Sequence, residues 1–273
     1  MKTVFFGSSE FVLPVVEVLN KKFGLSLILT TEQQGPVIDF ALKNKVPYSS
    51  VSKLQTTNYK LQTTHPDLGI VADFGLIIPK QTINLFPKGI LNIHPSLLPK
   101  YRGPTPVQTV LLNGNKQTGV TIIRLDEKVD HGPILAQEEY NIEVGQTSQD
   151  LLKILFKLGA NLLEKTLIDY IEDVLDPVPQ DEKNASFTKL LTKKDGLIKL
   201  SRPPSKEKLQ NMVRAFYPWP GVWTKAMVNG QWSIIKFLPG EKIQVEGKRP
   251  QSFKDFANGY KEGAEILKKL NLT

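Results

Sequence analysis

The feature of this 273-residue sequence that most constrains its fold is the alternation, through the first half, of short apolar runs with amphipathic stretches. Amphipathic stretches with helical spacing cover Val12–Leu19 and Val37–Lys43, and the apolar runs around them are short enough to be buried strands. This alternation predicts an α/β fold with a mostly parallel sheet. The runs predicted as strands are Thr3–Phe6, Leu25–Thr30, Leu68–Ala72 and Ile90–His94.

Two more strands and a long helix are predicted to complete this first domain. Thr118–Leu125 is rich in β-branched residues and Ile134–Ile142 is a second extended segment, so both are expected to continue the sheet. Ser148–Asp173 carries apolar residues at three-to-four spacing behind an N-cap candidate, and is predicted to be one helix. The first domain is therefore assigned to residues 1–180.

The last third of the chain is predicted to be a connector and a small β-rich domain. Periodicity stops over Asp176–Lys189, where polar residues and proline indicate an exposed connector. Beyond it, Ser205–Phe216 has helical spacing, and Asn229-Gly230 between two extended runs is a strong hairpin signal. We expect a connector at residues 181–203 and a second domain at residues 204–273.

The composition excludes several kinds of chemistry. Cysteine is absent, which removes disulfides, thiolate metal ligands and a cysteine nucleophile. No apolar run approaches the roughly 20 residues that span a bilayer, and Met1–Lys2 leads into a strand-like segment without a signal-peptide pattern, so a cytoplasmic protein is expected. Residues 181–273 hold 18 Lys and Arg against 9 Asp and Glu, whereas residues 1–180 hold 17 against 18. This local excess indicates either phosphate-backbone binding or a solvated lysine surface.

The densest functional signal is the segment LNIHPSLLPKYRGPTP, residues 91–106, at the end of a predicted strand. Ligands of open α/β sheets bind beyond the carboxyl ends of strands, so Asn92 and His94 are expected to face one. Residues two apart on a strand project to the same side, which lets this amide and this imidazole converge on one atom. The prolines and Gly103 that follow predict a rigid turn able to wall a pocket.

A carboxylate is the third member of this predicted site. Asp130 lies in RLDEKVDHGPIL, directly after the predicted strand Thr118–Leu125. A carboxylate near His94 would orient the imidazole and favour its charged form, as a general acid or an oxyanion donor requires. Together with Asn92, and with no nucleophile assigned, this trio suits direct attack by a substrate amine.

These motifs resemble the 10-formyltetrahydrofolate-dependent formyltransferases. That family carries N-x-H-x-S-L-L-P-x-x-R-G, here residues 92–103, and D-x-G-x-I-L, here residues 130–135. Within the family, FFGSSEFVLPVVEVL, PDLGIVADFGLIIPK, ASFTKLLTKKDGLI, RAFYPWPGVWT and VEGKRPQSFKDFANGY resemble the members that act on methionyl-tRNA. The resemblance implies a Rossmann-like catalytic domain and an OB-like, tRNA-binding C-terminal domain.

The resemblance also implies roles for individual residues. Asn92, His94 and Asp130 are expected to be catalytic in formyl transfer from 10-formyltetrahydrofolate to the amino group of methionyl-tRNA. Ser96, Leu97, Leu98 and Pro99 are expected to border the folate. No metal is implied, and a monomer is expected.

Two departures from the family pattern bear on the substrate. The segment TEQQGP between the second predicted strand and the following helix is shorter than the basic loop that tRNA-specific members carry there, and the C-terminal domain is abbreviated. Both departures favour an alternative acceptor, an amino sugar or another small amine, and the basic C-terminal third opposes it. A non-catalytic RNA-binding relative is the third reading. The candidate phosphate contacts are Lys189, Lys193, Lys194, Arg202, Lys206, Lys248 and Arg249.

Other residues leave alternatives open. His131 is either a tolerated change or a second proton carrier, with the first favoured, and His65 is expected to lie at the surface. The tryptophans of the small domain are expected to be core, although stacking on nucleic-acid bases is the alternative. Those tryptophans are Trp219, Trp223 and Trp232.

Overall fold

The computed structural model describes residues 1–54 and 58–272, and it divides into two compact units. The first unit comprises Met1–Pro106, Gln117–Asn141 and Leu152–Thr188. The second comprises Val107–Lys116, Ile142–Leu151 and Lys189–Thr273. The domain boundaries inferred from the sequence stay predictions.

A seven-stranded sheet forms the first unit, with strand order β3-β2-β1-β4-β5-β6-β7. The strands from β3 to β5 pair in parallel, and β6 and β7 continue the sheet in antiparallel pairing. The predicted α/β fold with a mostly parallel sheet is confirmed. Its strands are β1 Thr3–Phe6, β2 Leu25–Thr30, β3 Tyr48–Ser50, β4 Leu68–Val71, β5 Ile90–His94, β6 Gln117–Arg124 and β7 Ile134–Asn141.

Helices α1 to α4 and, from Leu152 on, α6 belong to the same unit as this sheet, whereas α5 from Val107 on belongs to the second unit. Apart from the long α6 they are short, and α1 and α2 begin at or next to proline, which is tolerated in a first helical turn. No helix among the described residues is both long and apolar enough to cross a membrane. These helices are α1 Leu13–Lys22, α2 Pro36–Lys43, α3 Asn58–Thr64, α4 Lys80–Ile83, α5 Pro106–Leu112 and α6 Ser148–Ile171.

Apolar clusters cover both faces of the sheet, as strands without polar alternation require. On β1, Phe5 belongs to one cluster, and Val4 and Phe6 belong to the other. The first cluster also contains Phe156 of α6, and the second contains Leu61 of α3. Because both faces of the sheet are buried, polar side chains that can contact a ligand are expected at the carboxyl ends of the strands.

The second unit is built on an antiparallel sheet of order β11-β10-β9-β8. The predicted hairpin is confirmed, because Asn229 and Gly230 have φ of 48° and 78° and join β8 to β9. The terminal helices α8 and α9 were not predicted. The elements are α7 Lys206–Phe216, β8 Val222–Val228, β9 Gln231–Leu238, β10 Lys242–Val245, β11 Gln251–Ser252, α8 Phe253–Gly259 and α9 Gly263–Lys269.

The expectation that the tryptophans form core is wrong for two of them. Trp232 is 72% exposed and Trp219 is 56% exposed, while Trp223 is half-buried. On β8 the buried residues alternate with Trp223, Lys225 and Met227, so these three share the outer face of the sheet. Trp232 pairs with Met227 across β8 and β9 and lies on that same outer face.

Candidate active site

Strand β5 supplies the first two predicted site residues. Asn92 and His94 lie at its carboxyl end and are 9% and 4% exposed, while Ile93 between them points into the first apolar cluster. The two polar side chains thus share one side of the strand, as the alternation of a strand requires. Buried polar groups need partners, which are Asp130, in the turn that follows β6, for Asn92 and the carbonyl of Tyr101, in the loop that follows β5, for His94.

Asp130 lies in the β6–β7 connection and is the partner of Asn92. Its Oδ1 accepts a hydrogen bond of 3.0 Å from the Asn92 amide, and its Oδ2 accepts one of 2.7 Å from the backbone N–H of Gly103. The backbone of Asp130 has φ of 48°, a left-handed conformation that is uncommon for a residue with a side chain. The structure therefore brings the three predicted catalytic side chains together.

The imidazole of His94 lies between an acceptor and a carboxylate. Its Nε2 is 3.0 Å from the carbonyl oxygen of Tyr101, and because a carbonyl only accepts, Nε2 carries a hydrogen. Its Nδ1 is 3.6 Å from Oδ2 of Asp130, which is longer than a hydrogen bond. Nδ1 is therefore not engaged by a hydrogen bond to Asp130 and stays available to a ligand.

The loop predicted to border the folate is held firmly. Ser96 is fully buried and its hydroxyl donates to the carbonyl of Lys100, and Leu98 is 3% exposed. The backbone N–H of Leu98 donates to the hydroxyl of Thr121, which itself donates to the carbonyl of Ser96. Leu97 and Pro99 are half-buried, so they are the members of this loop whose side chains remain accessible.

Gln180 and Arg102 contact the turn that carries Asp130, and the sequence analysis did not predict these contacts. The Gln180 amide donates to the backbone carbonyls of Asp130 and Gly132, at 2.9 and 2.8 Å. Its oxygen accepts from Nε and Nη2 of Arg102, at 3.0 and 2.8 Å. Arg102 also donates to both carboxylate oxygens of Glu182, and these hydrogen bonds lower the pKa of the Glu182 carboxyl. The segment predicted as a plain connector thus contributes side chains to the site.

His131 belongs to the same network. Its Nδ1 is 2.5 Å from Oδ2 of Asp126, and its Nε2 is 3.4 Å from Oε1 of Glu182. Both ring nitrogens therefore face carboxylates. Among the described residues, no group of three or more histidine, aspartate and glutamate side chains is arranged to hold a metal ion.

An amide, an imidazole and a carboxylate meet at the carboxyl edge of a mostly parallel sheet, which is where α/β proteins of this class bind their ligands. The model of the formyl transferase family matches residues 8–167, which is more than half of the chain. The chain belongs to this family and is a formyl-transfer enzyme.

Two relatives show how far the similarity extends. The methionyl-tRNA formyltransferase of Roseiflexus sp. (strain RS-1) is 37% identical over 238 residues, covering 82% of this chain and 73% of that protein. The methionyl-tRNA formyltransferase of Koribacter versatilis is 32% identical over 302 residues, covering 96% of each chain. That alignment is longer than the 273 residues of this chain, so the relative carries residues that have no counterpart here.

Solved structures of the family share the fold. A 4-N formyltransferase from Francisella tularensis has a TM-score of 0.72 at 18% identity, covering 87% of this chain and 97% of that one. An N-formyltransferase from Helicobacter canadensis, in complex with folinic acid and dTDP-3-aminofucose, has a TM-score of 0.64 at 18% identity, covering 90% of this chain and 95% of that one. At these identities the likeness concerns the fold alone.

Proposed function

We propose that this enzyme transfers the formyl group of 10-formyltetrahydrofolate to the α-amino group of methionyl-tRNA, in the cytoplasm. The observation that carries the chemistry is the convergence of Asn92, His94 and Asp130 through the contacts of 3.0 and 3.6 Å. The acceptor follows from the relatives, because those named methionyl-tRNA formyltransferase align with as much as 96% of the chain.

The proposed reaction needs donors rather than a protein nucleophile. The amine nitrogen bonds to the formyl carbon, and negative charge develops on the formyl oxygen. The second amide hydrogen of Asn92 and the Nδ1 hydrogen of His94 stabilise that oxyanion, and such a donor contributes about 3–4 kcal/mol to the transition state. The bond from carbon to N10 then breaks, its electron pair stays on N10, and the proton released by the amine ends there. Asp130 keeps the imidazole oriented throughout.

The folate is proposed to lie along the loop of Ser96, Leu97, Leu98 and Pro99. The accessible side chains of Leu97 and Pro99 support an apolar contact, while burial of Ser96 and Leu98 supports a role in holding the loop. Gly119 of β6 contributes to this shape, since a Cβ there would lie 2.5 Å from Cδ2 of Leu97.

An RNA acceptor is supported by the second unit. The outer face of its sheet carries the exposed ring of Trp232 together with Lys225 and Lys236, and Lys193 lies 6.0 Å from the ring of Trp223. Bases stack on exposed aromatic rings and lysines neutralise phosphates, so this face suits unpaired nucleotides. The seven lysine and arginine residues named from the sequence as candidate phosphate contacts are all exposed.

A small amine, such as an amino sugar, is the second candidate acceptor. Only Thr31–Gly35 separates β2 from α2, which leaves little chain there for contact with a large acceptor. The test is transfer of labelled formyl from 10-formyltetrahydrofolate to charged initiator tRNA and, in parallel, to amino-sugar nucleotides. Transfer to the RNA supports the proposal, and transfer to the sugar alone contradicts it. RNA binding without transfer to any amine would identify a binding protein instead.

A further inference from the structure

Asp130 combines an uncommon backbone conformation with three polar contacts at its carboxylate, and such a residue persists only when its surroundings hold it. We infer that Gln180 and Arg102 are positioning residues that hold Asp130 against Asn92 and His94 during formyl transfer. The inference rests on the proposed function, because it takes Asp130 as a catalytic group.

The Gln180 amide has one defined orientation. Its nitrogen donates to two carbonyls, of Asp130 and Gly132, and its oxygen accepts from two nitrogens of Arg102. Carbonyls only accept and a guanidinium only donates, so a single orientation of the amide satisfies all four contacts. The amide therefore fixes the backbone on both sides of His131, within the turn that presents the catalytic carboxylate.

Arg102 is buried and held in place by an ion pair. Its side chain is 2% exposed, and its charge is balanced by Glu182 through hydrogen bonds of 2.6 and 3.0 Å. A buried guanidinium with both oxygens of a carboxylate is held in one geometry. Arg102 then reaches Asp130 by two routes: through Gln180, and through the next residue in the chain, Gly103, whose N–H donates to the carboxylate.

The Gln180 side chain is not what attaches the segment that follows it, residues 181–188, to the rest of the first unit. Backbone hydrogen bonds already attach that segment, since the N–H of Arg102 donates to Ser186 and the N–H of Thr188 donates to Arg102, at 2.8 and 2.7 Å. Gln180 takes no part in these bonds. The hydrogen bonds described for its side chain all go to the Asp130 turn and to Arg102.

The test is Gln180→Glu, which keeps the size of the side chain and replaces the donor facing two carbonyls with an acceptor. We expect kcat to fall by about a hundredfold, the loss typical of a catalytic group displaced by about 1 Å, while KM for both substrates changes by less than about twofold. Gln146→Glu is the matched control, because the Gln146 side chain accepts from the N–H of Glu143 and a carboxylate keeps that contact. An unchanged kcat in Gln180→Glu would overturn the inference.

A double-mutant cycle distinguishes positioning from general weakening of the fold. In an Asp130→Asn background, we expect Gln180→Glu to lower kcat no further, since a residue that acts through Asp130 has no independent effect. The same fold-loss in both backgrounds would assign Gln180 to structure alone and overturn the inference.

A second measurement does not depend on formyl transfer. The ¹⁵N signals of the His94 ring, assigned with a His94→Gln variant, should shift in Gln180→Glu and stay in place in Gln146→Glu. Unmoved His94 signals in a folded Gln180→Glu protein would contradict the positioning role. Shifted signals in a protein whose wild type transfers no formyl to any amine would leave that role standing and exclude the proposed function.

Discussion

The side-chain amide of Asn92 donates to the carboxylate of Asp130 across 38 residues of sequence, with 3.0 Å between the two atoms. The contact uses one amide hydrogen and leaves the second for a ligand. It also ties the end of β5 to the β6–β7 turn, so the proposed oxyanion donor and the carboxylate that faces the imidazole are positioned by one hydrogen bond.

Asn92→Ala is expected to lower kcat by about a hundred- to a thousandfold, because the lost donor acts on charge that develops in the transition state. KM for the folate should change little. Steady-state kinetics with charged tRNA measure both constants. Asn44→Ala removes an amide that donates to the carbonyl of Phe40 in an exposed position and should leave both constants unchanged. A kcat for Asn92→Ala within threefold of wild type would refute this role of Asn92.

His94→Ala should abolish measurable formyl transfer, since the variant lacks the imidazole that is proposed to stabilise the oxyanion. The fold should persist, which circular dichroism and the unfolding midpoint can establish. His65, which is exposed, provides the control: His65→Ala should retain wild-type kcat. An active His94→Ala enzyme would show that the imidazole has no part in the chemistry.

Gly132→Ala tests how closely the turn that carries Asp130 packs against the backbone of Arg124. A Cβ at this position would lie 1.7 Å from the carbonyl oxygen of Arg124, so the turn must move. We expect the free energy of unfolding to fall by about 1–3 kcal/mol, as for other overpacked sites, and kcat to fall with it. Gly259→Ala is the control, because a Cβ there meets no atom within 4 Å. Equal stability of the two variants in urea titrations would contradict the prediction.

The carboxyl of Asp195 is expected to make stability depend on pH. Hydrogen bonds from Lys189 first, and from Thr192, lower its pKa from 3.8 to about 2. Because the folded pKa lies below the unfolded one, this stabilisation is complete above about pH 4 and is lost as the pH falls through about 2. Asp195→Asn should therefore unfold at lower urea than wild type at pH 7, and the difference should shrink by pH 3. Lys189→Met should reproduce most of the effect. A constant difference across this range would contradict it.

Trp232→Ala tests the outer sheet face as an RNA contact. One lost stack costs about 1–3 kcal/mol, so KM for charged tRNA should rise by about fivefold or more while kcat is kept. Trp219→Ala removes another exposed ring, in the turn before β8 and outside the strands of the sheet, and should have a smaller effect. If both variants raise KM equally, the sheet face is not the contact.

Much of the first unit could be predicted from sequence because its signals are local. β1, β2 and β5 have the predicted bounds, since glycine or proline marks an end of each buried run: Gly7 follows β1, Gly24 precedes β2, and Gly89 and Pro95 flank β5. Short elements such as β3, with an exposed residue and two half-buried ones, carry no such pattern. Asn92 and His94 could be predicted to share a side because a strand fixes which side chains do so, and Asp130 could be predicted as their neighbour because it follows the strand Thr118–Leu125.

The remaining parts of the site depend on contacts distant in sequence. Gln180 lies 50 residues from Asp130 and 78 from Arg102, in a stretch without periodicity, so no local pattern marks it. The exposure of Trp232 was predictable in principle. Trp232 and Lys236 lie four residues apart on β9 and so on the same side of the strand, and a lysine on that side indicates solvent.

The hydrogen bonds of Gln180 also decide where this chain can be cut. A fragment that stops before residue 180, at the apparent end of the sheet domain, would lose the partner of Arg102 and the donor to the Asp130 turn. The first compact unit accordingly extends to Thr188. Chimeras that exchange the second unit between family members should therefore be joined beyond Thr188, because residues 180–188 hold Arg102 and the turn that carries Asp130.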